Sequence, residues 1–321
     1  MSQRFAVAAF GAFLSLAGCA GVTAPEAPAD PGFIPDSGVI LLGGGDGGAP
    51  ASADGSLVAD AAPTPKACAL TPHGLNRFPT SSRQTASGRV FSGWGGRPAG
   101  GKPDHVPLVL IPGNGETADR WLDLRRQLCA MGYSDQELWA ITFNQSSCFG
   151  ACLGGSNSQH AAELELFIKL VLKQTQASRV NIVAVSMGVT TARHYLKYRG
   201  GLSRNEVAMA YLISGPNHGT PLCDLPGATA MNVACAEVST FTLIQGWLHD
   251  LNTPDETPRG QDKGLPPGQT LTYRTVTYGL DPAFPGIYAT SPRLKGADNL
   301  LLPGFNHGIV PFKDLWTYLS N

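Results

Sequence analysis

Six short, apolar, β-rich runs alternate with stretches of helical periodicity through the C-terminal two-thirds of this chain, and that alternation restricts the fold more than any other feature. The runs cover residues 106–111, 138–143, 180–185, 207–214, 271–278 and 299–302. Between the first two, Trp121, Leu124, Leu128 and Met131 recur three or four residues apart; between the second and third, Leu164, Ile168, Val171 and Leu172 do the same. Apolar residues at that spacing make one buried helix face, so all eight read as core. Gly132 stops the first helix, and a helix over about 187–198 ends at Gly200 and Gly201. Strand, helix and strand in repetition predict an α/β fold with a mostly parallel central sheet and helices on both faces.

The first 66 residues have a different character. Arg4 precedes an apolar run from Phe5 to Leu16 that ends in Leu16, Ala17, Gly18 and Cys19. This is the layout of a secretory signal, too short to span a membrane and stay there. The Leu-Ala-Gly-Cys ending resembles the bacterial lipoprotein box, which implies cleavage after residue 18 and a lipid anchor on Cys19. Residues 19–66 are rich in Ala, Gly, Pro and Asp and nearly lack aromatics, so they bury too little apolar surface to offset ordering entropy. They read as a tether, in which the apolar run 39–42 has no assigned role. The expected order is signal peptide 1–18, tether 19–66 and a folded domain 67–321 with an insertion at about 215–270. The expected location is beyond the inner membrane, in the periplasm or at the cell surface.

Charge excludes one large class of partner. Lys plus Arg number 23 against 24 Asp plus Glu, a net charge of −1, whereas a nucleic-acid binder needs a basic excess to neutralise phosphates. Six cysteines follow Cys19, namely Cys68, Cys129, Cys148, Cys152, Cys223 and Cys235. An even number in an oxidising compartment suits three disulfides. Local pairing would join Cys148 with Cys152 and Cys223 with Cys235, leaving Cys68 with Cys129. No CxxC pair of the zinc type occurs, and no metal site is expected.

Ser186 lies in Ala184-Val185-Ser186-Met187-Gly188, where a predicted strand meets a predicted helix. A serine on such a sharp turn projects its hydroxyl from the end of a sheet, and the small residues two before and two after let neighbouring backbone pass. The alternative is a helix-capping serine with no chemistry. A nucleophilic serine also needs N–H donors for the developing oxyanion. Met187 N–H follows the serine, and Asn114 N–H sits in the glycine-rich turn Ile111-Pro112-Gly113-Asn114-Gly115 after the first strand.

The chain order serine, acid, histidine on later loops is that of the α/β-hydrolase fold. Only His218, His249 and His307 follow Ser186. His307 comes after the last predicted strand and before a short terminal helix, the place for the base. His218 precedes the next strand and reads as a hydrogen-bonded loop histidine. Asp281, just past the fifth run, is positioned to hold the His307 imidazole. Asp298 reads as a turn or cap, and Asp250, Asp255 and Glu256 as solvated.

These residues resemble those of the class 2 bacterial lipase family. The likeness rests on residues 106–113, 132–141, 180–188 and 294–299 leading to His307, and it extends over most of 105–321. The family often has Ala where Ala184 stands. The resemblance implies Ser186, Asp281 and His307 as triad and Asn114 and Met187 as oxyanion donors, in agreement with the residue-level reading. Pro112 and Val185 depart from the common histidines at those places, and both border the pocket. The Pro-rich, Cys-containing stretch 215–270 is longer than the connection in the small family members. Within it, Leu243, Ile244, Trp247, Leu248 and Leu251 have helical spacing and could face the core or form a lid or rim over an acyl pocket.

The expected function is serine hydrolysis of carboxylic esters, as lipase or esterase, by a monomer without cofactor, with an ester or lipid substrate. A secreted polyhydroxybutyrate depolymerase group has a similar serine motif, so polyester cleavage is an alternative. A non-catalytic hydrolase-fold binding lipoprotein is another.

Overall fold

The computed structural model describes residues 68, 77–78, 92–96, 102–143, 155–228 and 232–320. All belong to the unit Pro65–Asn321. The signal segment, Cys19, the tether, Cys148 and Cys152 lie outside the described residues.

The strands are β1 (Arg77–Phe78), β2 (Ser92–Gly95), β3 (Leu108–Ile111), β4 (Leu138–Thr142), β5 (Val180–Val185), β6 (Val207–Ile213), β7 (Thr272–Tyr278) and β8 (Asp298–Leu302). They form one sheet in the order β1-β2-β4-β3-β5-β6-β7-β8. From β4 to β8 every pairing is parallel, while β1 and β2 add an antiparallel edge. The six expected strands are all present. The first is shorter than the predicted 106–111, beginning after Pro107, which has no N–H to give to a ladder. The edge strands were not anticipated. In β2 the pairing itself requires glycine: a Cβ on Gly93 would sit 2.1 Å from the Ala140 carbonyl oxygen.

The helices are α1 (Leu122–Ala130), α2 (Asn157–Thr175), α3 (Met187–Tyr198), α4 (Val233–Val238), α5 (Trp247–Asn252) and α6 (Phe312–Leu319). A capping box starts α2, with Ser156 accepting from Gln159 N and Gln159 reaching back to Ser156 N. Alternation along the strands divides the core between the two sheet faces. Val109, Ile111, Ile182, Ala184, Ala210 and Leu212 pack under α2 and α3. Leu108, Leu110, Val183, Val185, Tyr211 and Ile213 pack under α1 and α6.

Most of the predicted helical core is buried, Leu172 only partly. Met131 is the exception at 41% exposed. It is the residue after the last of α1, where the chain turns at Gly132 with φ 101° and the amphipathic face no longer meets the sheet. Cys68 pairs with Cys129 and Cys223 with Cys235. A third apolar cluster joins Met187 to Cys223, Ala234, Val238, Leu248 and Leu251 of the insertion.

Parallel strands direct their C-terminal ends to one side of the sheet, which is where open α/β sheets place ligands. The loops after β3, β5, β7 and β8 all emerge there, and they carry the candidate residues.

Candidate active site

Ser186 occupies a sharp turn between β5 and α3 with φ 52° and ψ −128°, a conformation sparsely used by non-glycine residues. Its N–H donates to the Ile213 carbonyl at 2.9 Å, so the adjacent strand holds the turn from below. The turn needs Gly188: a Cβ there would lie 2.3 Å from the Pro112 carbonyl oxygen. Ser186 precedes α3 but its side chain caps nothing. The capping alternative is thereby removed, and the hydroxyl is turned elsewhere.

It is turned to His307. The Nε2 atom of His307 lies 3.0 Å from Ser186 Oγ, and its Nδ1 atom lies 2.8 and 3.1 Å from the two carboxylate oxygens of Asp281. An ionised carboxylate can only accept, so Nδ1 carries the proton in this pair. Nε2 of a neutral ring is then the lone-pair side and faces the hydroxyl. Asp281 is 3% exposed and also accepts the Ala283 N–H at 2.9 Å. The ring of Phe284 packs obliquely against the imidazole with centroids 6.0 Å apart. Three side chains from loops after β5, β7 and β8, far apart in sequence, are thus within hydrogen-bond reach of one another.

The turn containing Asn114 runs beside this group. A Cβ on Gly113 would lie 3.1 Å from the Ser186 Cβ. The Gly113 N–H is already engaged, donating to Glu116 Oε2 at 2.7 Å. Asn114 is exposed, and Met187 is buried at the start of α3.

His218 belongs to a different network. Its N–H donates to Ser291 Oγ at 3.1 Å, its Nδ1 lies 3.1 Å from the Ser291 carbonyl, and its Nε2 lies 3.1 Å from Glu256 Oε1. Glu256 is therefore not solvated, contrary to expectation. It also accepts the Lys295 N–H at 2.6 Å, and the Glu256 carbonyl accepts from Arg193. Burial pushes the Glu256 carboxyl up, but the bonds from His218 and Lys295 and the charges of His218 and Arg193 outweigh it, leaving the group below the ordinary range. Arg193 is buried and joins Asn217 and Asn252 as well. Asp298 is no cap: it opens β8 and pairs with Arg274 at 2.6 Å. Asp255 pairs with Lys263, and Asp250 is exposed and uses its carbonyl to receive Lys197 and Tyr198.

The apolar stripe of the insertion divides between the two roles open to it. Leu248 and Leu251 are buried against Met187, with Leu243 and Trp247 partly so, while Ile244 is 85% and its neighbour Phe241 77% exposed. The sequence reading missed Glu116 and Arg120, which bond each other and the loops around the site. Their i,i+4 spacing next to the glycine-rich turn was the available signal.

The class 2 lipase family model matches residues 105–263. That stretch contains Ser186 and ends before Asp281 and His307. A triacylglycerol lipase of Pseudomonas fragi is 30% identical over 105 residues, which are 30% of this chain and 34% of that lipase. The match thus spans about a third of that relative's length. The mature form of a Bacillus licheniformis lipase superposes with a TM-score of 0.50 at 16% identity, covering 70% of this chain and 95% of that one. At such low identity the likeness is one of fold, the α/β-hydrolase fold.

Proposed function

Since the class 2 lipase family model matches residues 105–263, we propose that this chain hydrolyses carboxylic esters with Ser186 as nucleophile, His307 as general base and acid, and Asp281 as the group that orients His307. One observation carries this reading: the unbroken chain of contacts from Asp281 through His307 to Ser186 Oγ, at 2.8 and 3.0 Å.

The reaction follows from those contacts. As Ser186 Oγ attacks the ester carbonyl carbon, its proton passes to His307 Nε2, and the C=O electron pair moves onto oxygen. The N–H groups of Asn114 and Met187 stabilise that oxyanion. The imidazolium, steadied by Asp281, returns the proton to the departing alkoxide, leaving an acyl-serine and a free alcohol. A water then attacks the acyl carbon, giving its proton to Nε2; as the second tetrahedral species collapses, Nε2 returns that proton to Ser186 Oγ, the acid is released and the serine is restored. Each proton has a named holder, and no cofactor is called for.

The same reading includes lipid attachment at Cys19 and a position outside the inner membrane, with residues 19–66 as tether. Accumulation of an uncleaved form in the presence of globomycin is its expected signature, and normal processing in the drug would remove it.

Hydrolysis of p-nitrophenyl esters from C2 to C16 tests the chemistry, with Ser186→Ala and His307→Ala beside the parent. Loss in both variants together with labelling of Ser186 by a fluorophosphonate is expected. A folded parent that neither hydrolyses any ester nor takes the label would favour the binding-protein alternative. The exposed Phe241 and Ile244, with Ile287, Phe305 and Ile309 on the loops that carry Asp281 and His307, suit an aggregated substrate. For that reason triglyceride emulsion and polyester film both belong in the assay, and the preferred one separates lipase from depolymerase.

A further inference from the structure

Two loops carry the two halves of the proposed chemistry, and one pair of side chains ties them together. The turn after β3 holds the Gly113–Asn114 edge; the loop after β8 holds His307. Glu116 Oε2 accepts the Gly113 N–H at 2.7 Å. Arg120 Nη1 donates to both Glu116 oxygens at 2.5 Å. Arg120 Nη2 donates to the carbonyl of Gly308, the residue after His307, at 2.7 Å. The last bond spans 188 residues of sequence, so local chain geometry does not produce it.

Both ends of this relay touch the serine turn. Gly113 lies against Ser186, and a Cβ on Gly308 would approach Val185 Cγ2 to 2.6 Å. The guanidinium rests over the buried ring of Trp121 with its carbon 4.9 Å from the centroid, which limits where it can point. Side-chain exposure of 22% for Arg120 and 38% for Glu116 means that the ion pair adds little to folding stability. What it does supply is geometry: two loops held at one spacing around the Ser186 hydroxyl.

We propose that Glu116 and Arg120 are positioning residues that set the oxyanion turn and the His307 loop at their working separation. This rests on the ester-hydrolase reading of Ser186 and His307. The pair is neutral as a unit, so it exerts no net charge on the oxyanion. Breaking either half has two consequences: a loop loses its tether, and the surviving charge acts on the reaction. The two halves predict opposite electrostatic signs. Without Glu116 the Arg120 cation disfavours an imidazolium and lets the base work at lower pH. Without Arg120 the Glu116 anion favours the imidazolium and opposes the oxyanion. Among the described residues, Asp281 holds His307 Nδ1 and the Tyr278 phenol donates to the Ile309 carbonyl two residues on; both stay constant across the comparison.

The experiment is steady-state kinetics of the full chain on soluble p-nitrophenyl butyrate from pH 5 to 9. Glu116→Gln, Arg120→Gln, the double variant and Arg120→Lys are compared with the parent, with melting temperatures alongside. Arg120→Gln is expected to lower kcat by roughly 10- to 100-fold, a part of what losing one oxyanion donor costs. KM should stay within about threefold, as befits a contact felt in the transition state. The double variant should lose far less than the product of the single losses. The acid limb of kcat/KM should move by about 0.5 pH unit, downward in Glu116→Gln and upward in Arg120→Gln. If Arg120→Gln does not fold, Arg120→Lys decides: it keeps the charge and so the acid limb, but cannot reproduce the bidentate fork, and kcat falls. Unchanged kcat in folded variants, acid limbs that move the same way, or losses that track melting temperature would each overturn the proposal. A parent without ester hydrolysis overturns both this and the reading beneath it, whereas an active parent with indifferent variants overturns this alone.

Discussion

The serine turn and the 215–270 insertion meet at one side chain, Met187, yet they are held in place by different physics. On the turn side, β5 lies between β3 and β6, every residue from Val180 to Val185 is buried, and the Ser186 N–H is tied to β6. On the insertion side, short helices are joined by side-chain links: Arg193 to Asn217 and Asn252, His218 to Glu256, Cys223 to Cys235. A backbone ladder tolerates many side-chain changes; a set of specific polar links fails one link at a time. The difference implies that the geometry of the Ser186 turn is over-determined, whereas the wall beside it is the adjustable part.

The sharpest attempt to break this comparison substitutes Ser186. Ser186→Ala should reduce ester hydrolysis by at least about 10³-fold with little change in folding. Ser186→Gly should be equally inactive but more stable, by about 1 kcal/mol, because φ 52° and ψ −128° strain any other residue. Thermal melts of parent, alanine and glycine forms measure it; a glycine form that melts lower would mean that the turn is held by the side chain after all.

Next in size is the insertion's covalent link. The Cys223–Cys235 disulfide closes a short loop, and in the chain-entropy model removing such a bridge costs about 3 kcal/mol. Cys223→Ser/Cys235→Ser should therefore melt lower and be cut sooner by protease within 215–270, while Ser186 still labels with fluorophosphonate. Loss of labelling in parallel with the loss of stability would show that the two regions fold as one unit.

Glu256 comes third. Glu256→Ala leaves His218 Nε2 and the Lys295 N–H without their acceptor, a cost of about 1–3 kcal/mol. Because the carboxyl is held below its ordinary range in the fold, its contribution is present above the unfolded pKa of about 4.3 and is lost as pH falls through the lower folded value. Activity per folded molecule should stay within about threefold. A collapse of kcat with KM unchanged would promote the His218–Glu256 pair from scaffold to chemistry.

What could be read from the sequence follows the same division. The strands and the order Ser186, Asp281, His307 were legible because each sits in a local pattern: strand to helix, strand to loop, strand to terminal helix. Glu256 was misread as solvated because its partners come from residues 193, 218 and 295, and no local pattern announces them. The β2 edge was invisible because its glycine serves a neighbour, Ala140, rather than its own strand. Arg120 was missed for a related reason: its i,i+4 partner Glu116 is local, but the Gly308 carbonyl that gives the pair its use is not.

The smallest effect concerns His194, where α3 meets α5. Its ring stacks on Trp247 with centroids 5.5 Å apart and planes 3° apart, and lies obliquely to Tyr198 at 4.8 Å. Burial, helped by the charge of Arg199, pushes its pKa down to about 4. In the unfolded chain the group takes up its proton near pH 6.5. Between those values the unfolded state binds a proton that the native state does not, so stability rises with pH across the window. The contribution is complete above about pH 6.5 and is lost as pH falls toward 4; partial contact with water reduces it to roughly 1–2 kcal/mol. Glu237, whose carboxyl burial raises against the bonds from Asn157 and Ser158, titrates in the opposite sense, so the parent's melting curve alone does not isolate the histidine. His194→Phe keeps the stack and removes the proton, and its difference from the parent at pH 7 and at pH 4.5 does. The parent should lose more stability on acidification than His194→Phe does, with protease cutting in 215–270 rising before the sheet melts. Equal losses in both forms would mean that α3 and α5 stay packed around a protonated ring, and that the insertion is as rigidly determined as the turn beside it.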